Sequence, residues 1–240
     1  MSSLLFASAL LALAAGQNGV PPSTVEIVAK RDAEWASYRH GYKAASKFEL
    51  ITRSRPLIQA HMQIVPRRPG LSLDGLKLQL AGASVTLDIP VDAIGRATLP
   101  MFKTAYDEDA VLRLNRQQGN YRFSGRFSIR EKESGAYSVA ELRAACEQMI
   151  DAQRESGNRF RLMGKKCAGV RFIYPPTSTA GLRFQETNGK AGVIVTVDAA
   201  PFDNLPVGLH KVALYRFGDW PTQGEIVAAQ RPLFIGALYE

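Results

Sequence analysis

The chain has 240 residues, is 46% hydrophobic and 22% charged, and carries a net charge of +8. This length and composition exclude an intrinsically disordered chain and allow one large domain or two small ones, each with a hydrophobic core. The charge is uneven, because residues 21–135 carry 18 Lys and Arg against 12 Asp and Glu, a difference of +6. A basic surface of this kind favours encounter with anionic partners.

The N-terminus has the pattern of a secretory signal peptide. Residues 4–15 are a run of apolar or small side chains, and Ala12-Leu13-Ala14 fits the small-x-small cleavage rule. The run is too short to span a bilayer. No basic residue precedes it, so a frayed apolar N-terminus and a wrongly chosen start codon are the alternatives. We expect residues 1–15 to be a signal peptide and residues 16–24 a linker. The mature chain is then periplasmic or secreted, with no transmembrane segment.

Helical periodicity begins at residue 32. Apolar side chains three or four positions apart predict an amphipathic helix over residues 32–48. These side chains are Trp35, Tyr38, Tyr42, Ala45 and Phe48. Another face carries basic side chains at i, i+4 and i+8, namely Arg39, Lys43 and Lys47. This basic stripe is either the solvated face of a core-packed helix or a contact with an anionic surface.

Residues 50–135 alternate as antiparallel strands do. Residues 57–65 are interpreted as a half-buried strand, and residues 76–80 and 85–89 as a hairpin around Gly82. The one acidic run, residues 107–109, is interpreted as a solvated turn before another strand.

The clearest strand covers residues 121–130. Its period of two places Arg122, Arg126 and Arg130 on one polar face. Because guanidinium groups bind carboxylates and phosphates bidentately, such a row can hold a polyanion. The alternative is an open sheet face whose arginines pair with acids on neighbouring strands or with water. We take this row as the best candidate binding surface for an anionic ligand.

Residues 138–167 separate two β-rich halves. Ser138 and Glu141 form the S-x-x-E capping pattern, and the apolar spacing after them predicts an amphipathic helix from residue 139 to near residue 155, which Gly157 stops. A basic stretch follows, made of Arg159, Arg161, Lys165 and Lys166.

Both cysteines lie in this region. Cys146 belongs to the apolar stripe of the helix, and Cys167 comes just before a predicted strand. In an oxidising compartment we expect them to form a disulfide that stabilises the fold by about 3 kcal/mol. The alternative is a pair of inert buried thiols. Farther along, Asn188-Gly189 suits a type I′ turn and predicts a hairpin of residues 182–187 and 191–197.

The sequence contains no local catalytic motif that we recognise. His40, His61 and His210 lie on different predicted elements without metal-ligand spacing, so each is interpreted as structural or surface-exposed, and neither a metal nor a cofactor is expected. The patterns G-x-S-x-G, G-x-G-x-x-G and H-E-x-x-H are absent. A carboxylate pair for glycoside cleavage stays open. Its conceivable members are Asp88, Asp92 and Asp107.

Together these patterns predict an α+β fold, mainly antiparallel β, with two β-rich halves around a central amphipathic helix. The halves are residues 25–135 and 136–240, and they can also form one continuous domain. The predicted role is that of an exported, non-enzymatic envelope protein whose basic surface faces an anionic polymer or lipid headgroups, without nucleic acid. An envelope hydrolase with paired carboxylates is the first alternative. A cytoplasmic nucleic-acid binder is the second, and it requires a retained N-terminus and reduced cysteines.

Overall fold

The computed structural model describes residues 33–186, 189, 191–202 and 207–240, without the side chains of Ala33 and Glu34. In this part of the chain the strands form three sheets, and every strand pair is antiparallel. The prediction of a mainly antiparallel β fold with a few helices is therefore confirmed. The predicted signal peptide and linker lie outside the described residues.

Short helices and many strands make up the described part of the chain. The helices are α1 (Tyr38–Arg53), α2 (Lys103–Asp107) and α3 (Val139–Gln153), with a π-helical turn (Arg154–Asn158) directly after α3. The strands are β1 (Ala33–Ser37), β2 (Ile58–Pro66), β3 (Leu78–Ala81), β4 (Thr86–Ile89), β5 (Arg96–Ala97), β6 (Val111–Gln117), β7 (Tyr121–Ile129), β8 (Ala136–Ser138), β9 (Cys167–Tyr174), β10 (Leu182–Gln185), β11 (Ala191–Ile194), β12 (Val197–Ala199), β13 (His210–Arg216), β14 (Glu225–Ala228) and β15 (Phe234–Tyr239).

The largest sheet takes strands from both halves of the sequence. Its order is β12-β13-β9-β15-β7-β2-β5, and Ile129 of β7 lies opposite Ile235 of β15 where the two halves join. The smaller sheets have the orders β1-β6-β3-β4 and β11-β10-β14-β8. Because one sheet crosses residue 138, the picture of two β-rich halves around a central helix is not confirmed and stays a prediction.

Helix α3 forms where the capping pattern predicts it. The Ser138 hydroxyl accepts a hydrogen bond from the Glu141 backbone N–H at 3.1 Å. The reciprocal half of the capping box is missing, because Ser138 belongs to β8 and the Glu141 carboxylate pairs with Lys132 at 2.5 Å. The helix packs against β7, β9 and β15. After it, Gly157 adopts a φ of 117° within the π-helical turn, so the prediction that this glycine ends the helix is confirmed.

The predicted disulfide is present. Cys146 of α3 and Cys167 of β9 are bonded, with their Cα atoms 5.9 Å apart. Cys146 is fully buried in the core that also contains Leu142, Met149 and Phe172. The bond thus links the helix to the start of β9, an inner strand of the largest sheet.

The N-terminal helix starts later than predicted. Ala33–Ser37 is strand β1, which pairs with β6, and α1 begins at Tyr38 and extends to Arg53. The Ser37 hydroxyl accepts a hydrogen bond from the His40 backbone N–H at 3.4 Å, so Ser37 is the cap that separates strand from helix. The prediction of a helix from residue 32 was therefore wrong for its first turn and a half, because pairing with β6 outweighs the local spacing.

The predicted hairpins are present with small changes. Strands β3 and β4 pair around Gly82, and β10 pairs with β11. The predicted strand over residues 191–197 divides into β11 and β12, which belong to different sheets. The predicted Asn188-Gly189 turn lies partly outside the described residues. Of the acidic run, Asp107 is the last residue of the unpredicted short helix α2, and Glu108 and Asp109 follow it.

Candidate binding groove

Helix α1 does not lie flat on the largest sheet. Of its described side chains, those of Tyr38 and Ile51 are buried, whereas most helices of this length bury a full stripe. Between α1 and the paired strands β2 and β7 lies a groove of about 760 Å³. This volume falls within the range of about 300–1,000 Å³ that is typical of small-molecule sites. We call it the α1 groove.

The walls of the α1 groove are mainly apolar or small. The helix contributes Gly41, Ala44, Ala45 and Phe48, and the sheet contributes Ala60, Met62, Phe123 and Gly125. Trp35 of β1 also lines it and is 51% exposed. Together with the small side chains beside it, Trp35 makes a continuous apolar wall, and such continuous apolar surface is typical of ligand-binding grooves. The walls can therefore accept an apolar chain.

Gly125 sets the depth of this groove. A Cβ atom at this position would lie 2.4 Å from the Phe48 ring, so the ring sits directly against the glycine backbone. The ring of Phe48 also packs against Phe127 at a centroid distance of 4.7 Å. These contacts fix the helix to β7 at one point, and the groove lies beside this point.

Three arginines line the groove. Arg67 donates from Nε to the Tyr121 carbonyl at 2.8 Å, and Arg130 donates from Nε to the Pro56 carbonyl at 2.9 Å. Arg122 is exposed and makes no hydrogen bond or ion pair with any other described residue. Among the described residues, Glu49 is the one carboxylate that lines the groove. Three positive charges and one negative charge give the lining a net charge of +2.

The basic stripe of α1 lies on another side of the helix. Arg39, Lys43 and the nearby Lys103 surround the ring of Tyr106 at 5.2, 5.9 and 5.7 Å from its centroid. Arg39 also forms an ion pair with Asp109 at 2.8 Å. A shallower depression of about 490 Å³ is bordered by these lysines and by Lys47. The structure thus brings Arg39, Lys43 and Lys47 together, but not into the α1 groove.

The arginine row of β7 does not form one open surface. Arg122 and Arg130 are exposed, whereas Arg126 is half-buried and its Cζ atom lies 4.2 Å from the centroid of the Phe202 ring. Phe202 belongs to an apolar cluster with Phe234 that covers the polar face of β7 at its centre. Only the two outer arginines of the row therefore line the α1 groove.

A buried polar cluster lies on this covered face. Arg96 pairs with Glu131 at 2.6 Å and with Asp92 at 2.8 Å, and the Glu131 side chain is only 4% exposed. The Glu131 carboxylate also accepts a hydrogen bond from Gln59 Nε2 at 2.6 Å. Each charge in this cluster has a partner of opposite sign, as buried charges require.

His61 borders this cluster without joining it. Neither of its ring nitrogens has a hydrogen-bond partner among the described residues, and its ring packs edge-on against Phe234 at 5.8 Å. Burial, followed by the positive charges of Arg96 and Arg126, lowers the pKa of His61 from 6.5 to about 3. The imidazole is therefore neutral at physiological pH.

Sequence reasoning missed the α1 groove and Arg67. The Pro and Gly residues around Arg67 indicate a turn, and the period of two in β7 gives no indication that a helix stands off its apolar face. The one available signal is Gly125, which interrupts the apolar alternation between Phe123 and Phe127. A gap in an apolar stripe indicates the place where another element approaches closely.

Two further kinds of site bear on function, a metal site and a membrane-spanning helix. Within the described ranges, no three His, Cys, Asp or Glu side chains come together in a way that could hold a metal ion. In the same part of the chain, no helix has the length and apolar character that a membrane crossing requires. Comparison with protein-family models, curated proteins and solved structures found no match, so function has to be argued from geometry.

Proposed function

We propose that this protein is an exported, non-enzymatic binding protein that holds an anionic amphiphile in the α1 groove. The ligand class is a single acyl chain with a carboxylate or phosphate head. The observation that carries the proposal is an apolar groove of about 760 Å³ with a lining charge of +2. Apolar walls bind the chain, and the arginines bind the head.

Arg122 is the best placed of these arginines to recognise the head. It is exposed and has no partner within the described chain, so a ligand oxygen displaces only water from it. Arg67 and Arg130 also line the groove, and each uses its Nε–H on a backbone carbonyl, so the described hydrogen bonds do not occupy their terminal nitrogens. A charge-assisted hydrogen bond of this kind contributes about 1.5–3 kcal/mol.

The compartment belongs to the proposal as well. A disulfide between Cys146 and Cys167 is typical of proteins that fold in an oxidising compartment. Together with the signal-like N-terminus, it supports a periplasmic or secreted location, where lipids and anionic polymers of the envelope are the available ligands.

The geometry favours binding over the hydrolase alternative. Among the described residues, Glu49 is the sole carboxylate that lines the α1 groove, and paired-carboxylate hydrolysis needs two. Asp92 and Glu131 both form ion pairs with Arg96, which lies between their carboxylates, and neither residue lines the groove. Asp107 is occupied by Lys103 at 2.5 Å.

Trp35 offers a direct test of ligand binding. The protein has two tryptophans, and Trp35 lines the groove whereas Trp220 packs against Phe184 and Tyr215. We expect dodecanoate to shift the Trp35 emission to shorter wavelength in a saturable titration, and dodecylamine to do so at least about tenfold more weakly. The variant Trp35→Phe loses the signal and serves as the optical control.

Two matched pairs of variants locate the site. Ala44→Phe fills the groove and should weaken dodecanoate binding at least about tenfold, whereas Ala44→Ser leaves it within about twofold. Arg122→Ser should weaken binding about tenfold, whereas Arg183→Ser, at an exposed arginine of β10 outside the groove, should have no effect. Equal affinity for dodecanoate and dodecylamine, or an Ala44→Phe variant that binds normally, contradicts the proposal.

A further inference from the structure

The segment between the π-helical turn and β9 exposes two large apolar side chains. Phe160 is 87% exposed and Met163 is 78% exposed, more than any other large apolar side chain in the described part of the protein. Leaving such groups in water is costly when they could be buried, at roughly 1.5–3 kcal/mol for each. Their exposure therefore points to a partner that covers them.

Cations flank these two side chains closely. Residues 159–166 contain Arg159, Arg161, Lys165 and Lys166 and no acid. All four are exposed, and their side chains make no hydrogen bond or ion pair with the other described residues. Four unneutralised charges within eight residues repel one another, and an anionic surface relieves that repulsion.

The segment holds this shape through its own backbone. The Leu162 N–H donates to the Asn158 carbonyl at 3.1 Å, and the Lys165 N–H donates to the Leu162 carbonyl at 3.2 Å. Arg154 adds a hydrogen bond to the Lys165 carbonyl at 2.8 Å. Leu162 itself is buried, so it anchors the segment while Phe160 and Met163 point away from the core.

The Cys146–Cys167 disulfide closes the base of this segment. The two cysteines are 21 residues apart, and residues 159–166 lie between them. Next to Cys167, at the same end of the segment, the Lys166 N–H donates to the Glu240 carbonyl at 2.8 Å, and the Glu240 N–H donates to the Lys166 carbonyl at 3.0 Å. A segment held by these bonds and by its own backbone turns loses less entropy when it binds than a free loop does.

We propose that residues 159–166 form a docking loop that places the protein on an anionic lipid bilayer. Phe160 and Met163 enter the interface between headgroups and acyl chains, and the four cations contact the headgroups. This arrangement of apolar side chains with a basic rim is the one that peripheral membrane proteins use, and neither part suffices alone. The inference does not rest on the α1 groove, from which it is separate in residues and in readout.

Vesicle flotation tests the docking loop. The probes are vesicles of phosphatidylcholine alone and vesicles of phosphatidylcholine and phosphatidylglycerol in equal parts, at low and high salt. We expect the wild-type protein to float with the anionic vesicles at low salt and to remain unbound with the neutral ones. Binding should weaken steeply as salt is raised, because screening removes the attraction of the cations.

Two variants separate the charge from the apolar contribution. Phe160→Ser with Met163→Ser should weaken binding about tenfold or more. Replacing the four cations by serine should weaken it at least about a hundredfold, since each cation near an anionic surface changes the partition about fivefold. Two control variants should bind within about twofold of wild type. The control for the apolar pair is Val195→Ser with Leu209→Ser, whose side chains are 70% and 61% exposed. The control for the cations replaces four other exposed ones by serine, namely Lys77, Arg113, Arg183 and Arg231.

A tryptophan in the loop reports insertion. In Phe160→Trp, anionic vesicles should shift the added emission to shorter wavelength, and brominated lipids should quench it. Dextran sulfate tests the competing idea of a polyanion-binding loop. If dextran sulfate binds as tightly as anionic vesicles and Phe160→Ser has no effect on vesicle binding, the bilayer proposal is overturned. Failure of the wild type to float with anionic vesicles overturns it too, and a lack of dodecanoate binding leaves it intact.

Discussion

Lowering the pH should destabilise the fold through His61. Its imidazole is buried and unpartnered among the described residues, and its pKa in the folded protein is about 3 against 6.5 as the ordinary value. Because the folded-state pKa is the lower one, the unfolded chain binds the proton first as the pH falls. Stability is then lost from about pH 6.5 downward, and the loss is complete only below the folded pKa.

The size of this loss follows from the shift. Because the pKa of His61 falls from 6.5 to about 3 on folding, the free energy of unfolding decreases by about 5 kcal/mol once the pH is below 3. About 2 kcal/mol of this is already lost at pH 5. The positive charges of Arg96 and Arg126 add to the effect of burial, since a protonated His61 would be a third cation, repelled by both. No carboxylate is hydrogen-bonded to His61 within the described chain to offset this.

Urea unfolding at pH 7 and pH 5 measures this effect. Carboxylates titrate over the same range, so the informative quantity is the difference between wild type and His61→Leu, which keeps the carboxylates and removes the imidazole. We expect wild type to lose about 2 kcal/mol more than His61→Leu between the two pH values. The exposed-histidine variant His40→Leu keeps His61 and should lose as much as wild type. If wild type and His61→Leu lose the same stability, the imidazole is not buried as a neutral group and the reasoning fails.

Three further predictions concern the packing around α1, the buried cluster and the disulfide. Gly125→Ala should lower the free energy of unfolding by about 1–3 kcal/mol because its methyl group meets Phe48, and this cost should largely disappear in a Phe48→Ala background, as a double-mutant cycle by urea unfolding would measure. Glu131→Gln should lower the free energy of unfolding by about 3 kcal/mol in the same assay, because Arg96 then retains only Asp92 as a counter-ion. If replacing Arg96 by Met and Glu131 by Leu together costs less than this, the unpaired charge is the cause. Replacing both Cys146 and Cys167 by alanine should lower the melting temperature and cost about 3 kcal/mol, whereas an unchanged stability would mean that the loop is already ordered in the unfolded chain.

Sequence patterns correctly predicted the features that depend on interactions between residues close together in the chain. The Ser138 cap, the apolar spacing that buries Cys146 and the period of two in β7 depend on neighbours within a few residues, and the structure contains all three. The start of α1 was mispredicted because β1 exists only by pairing with β6, which lies more than seventy residues farther along. Propensity cannot report a pairing of that kind.

The same limit explains why half of the candidate site was missed. The alternation in β7 correctly separates its two faces, but it cannot say what covers each of them. Phe202 and Phe234, far away in the sequence, cover the centre of the polar face and leave Arg126 half-buried, whereas α1 contacts the opposite face through Phe48 at Gly125 and leaves the α1 groove beside this contact. Of the arginine row, only Arg122 and Arg130, near the two ends of β7, line the α1 groove, so the proposed anionic ligand is assigned to these two. Arg122, which is free within the described chain, should carry most of the head-group recognition, and Arg126→Ser should change stability more than it changes dodecanoate binding.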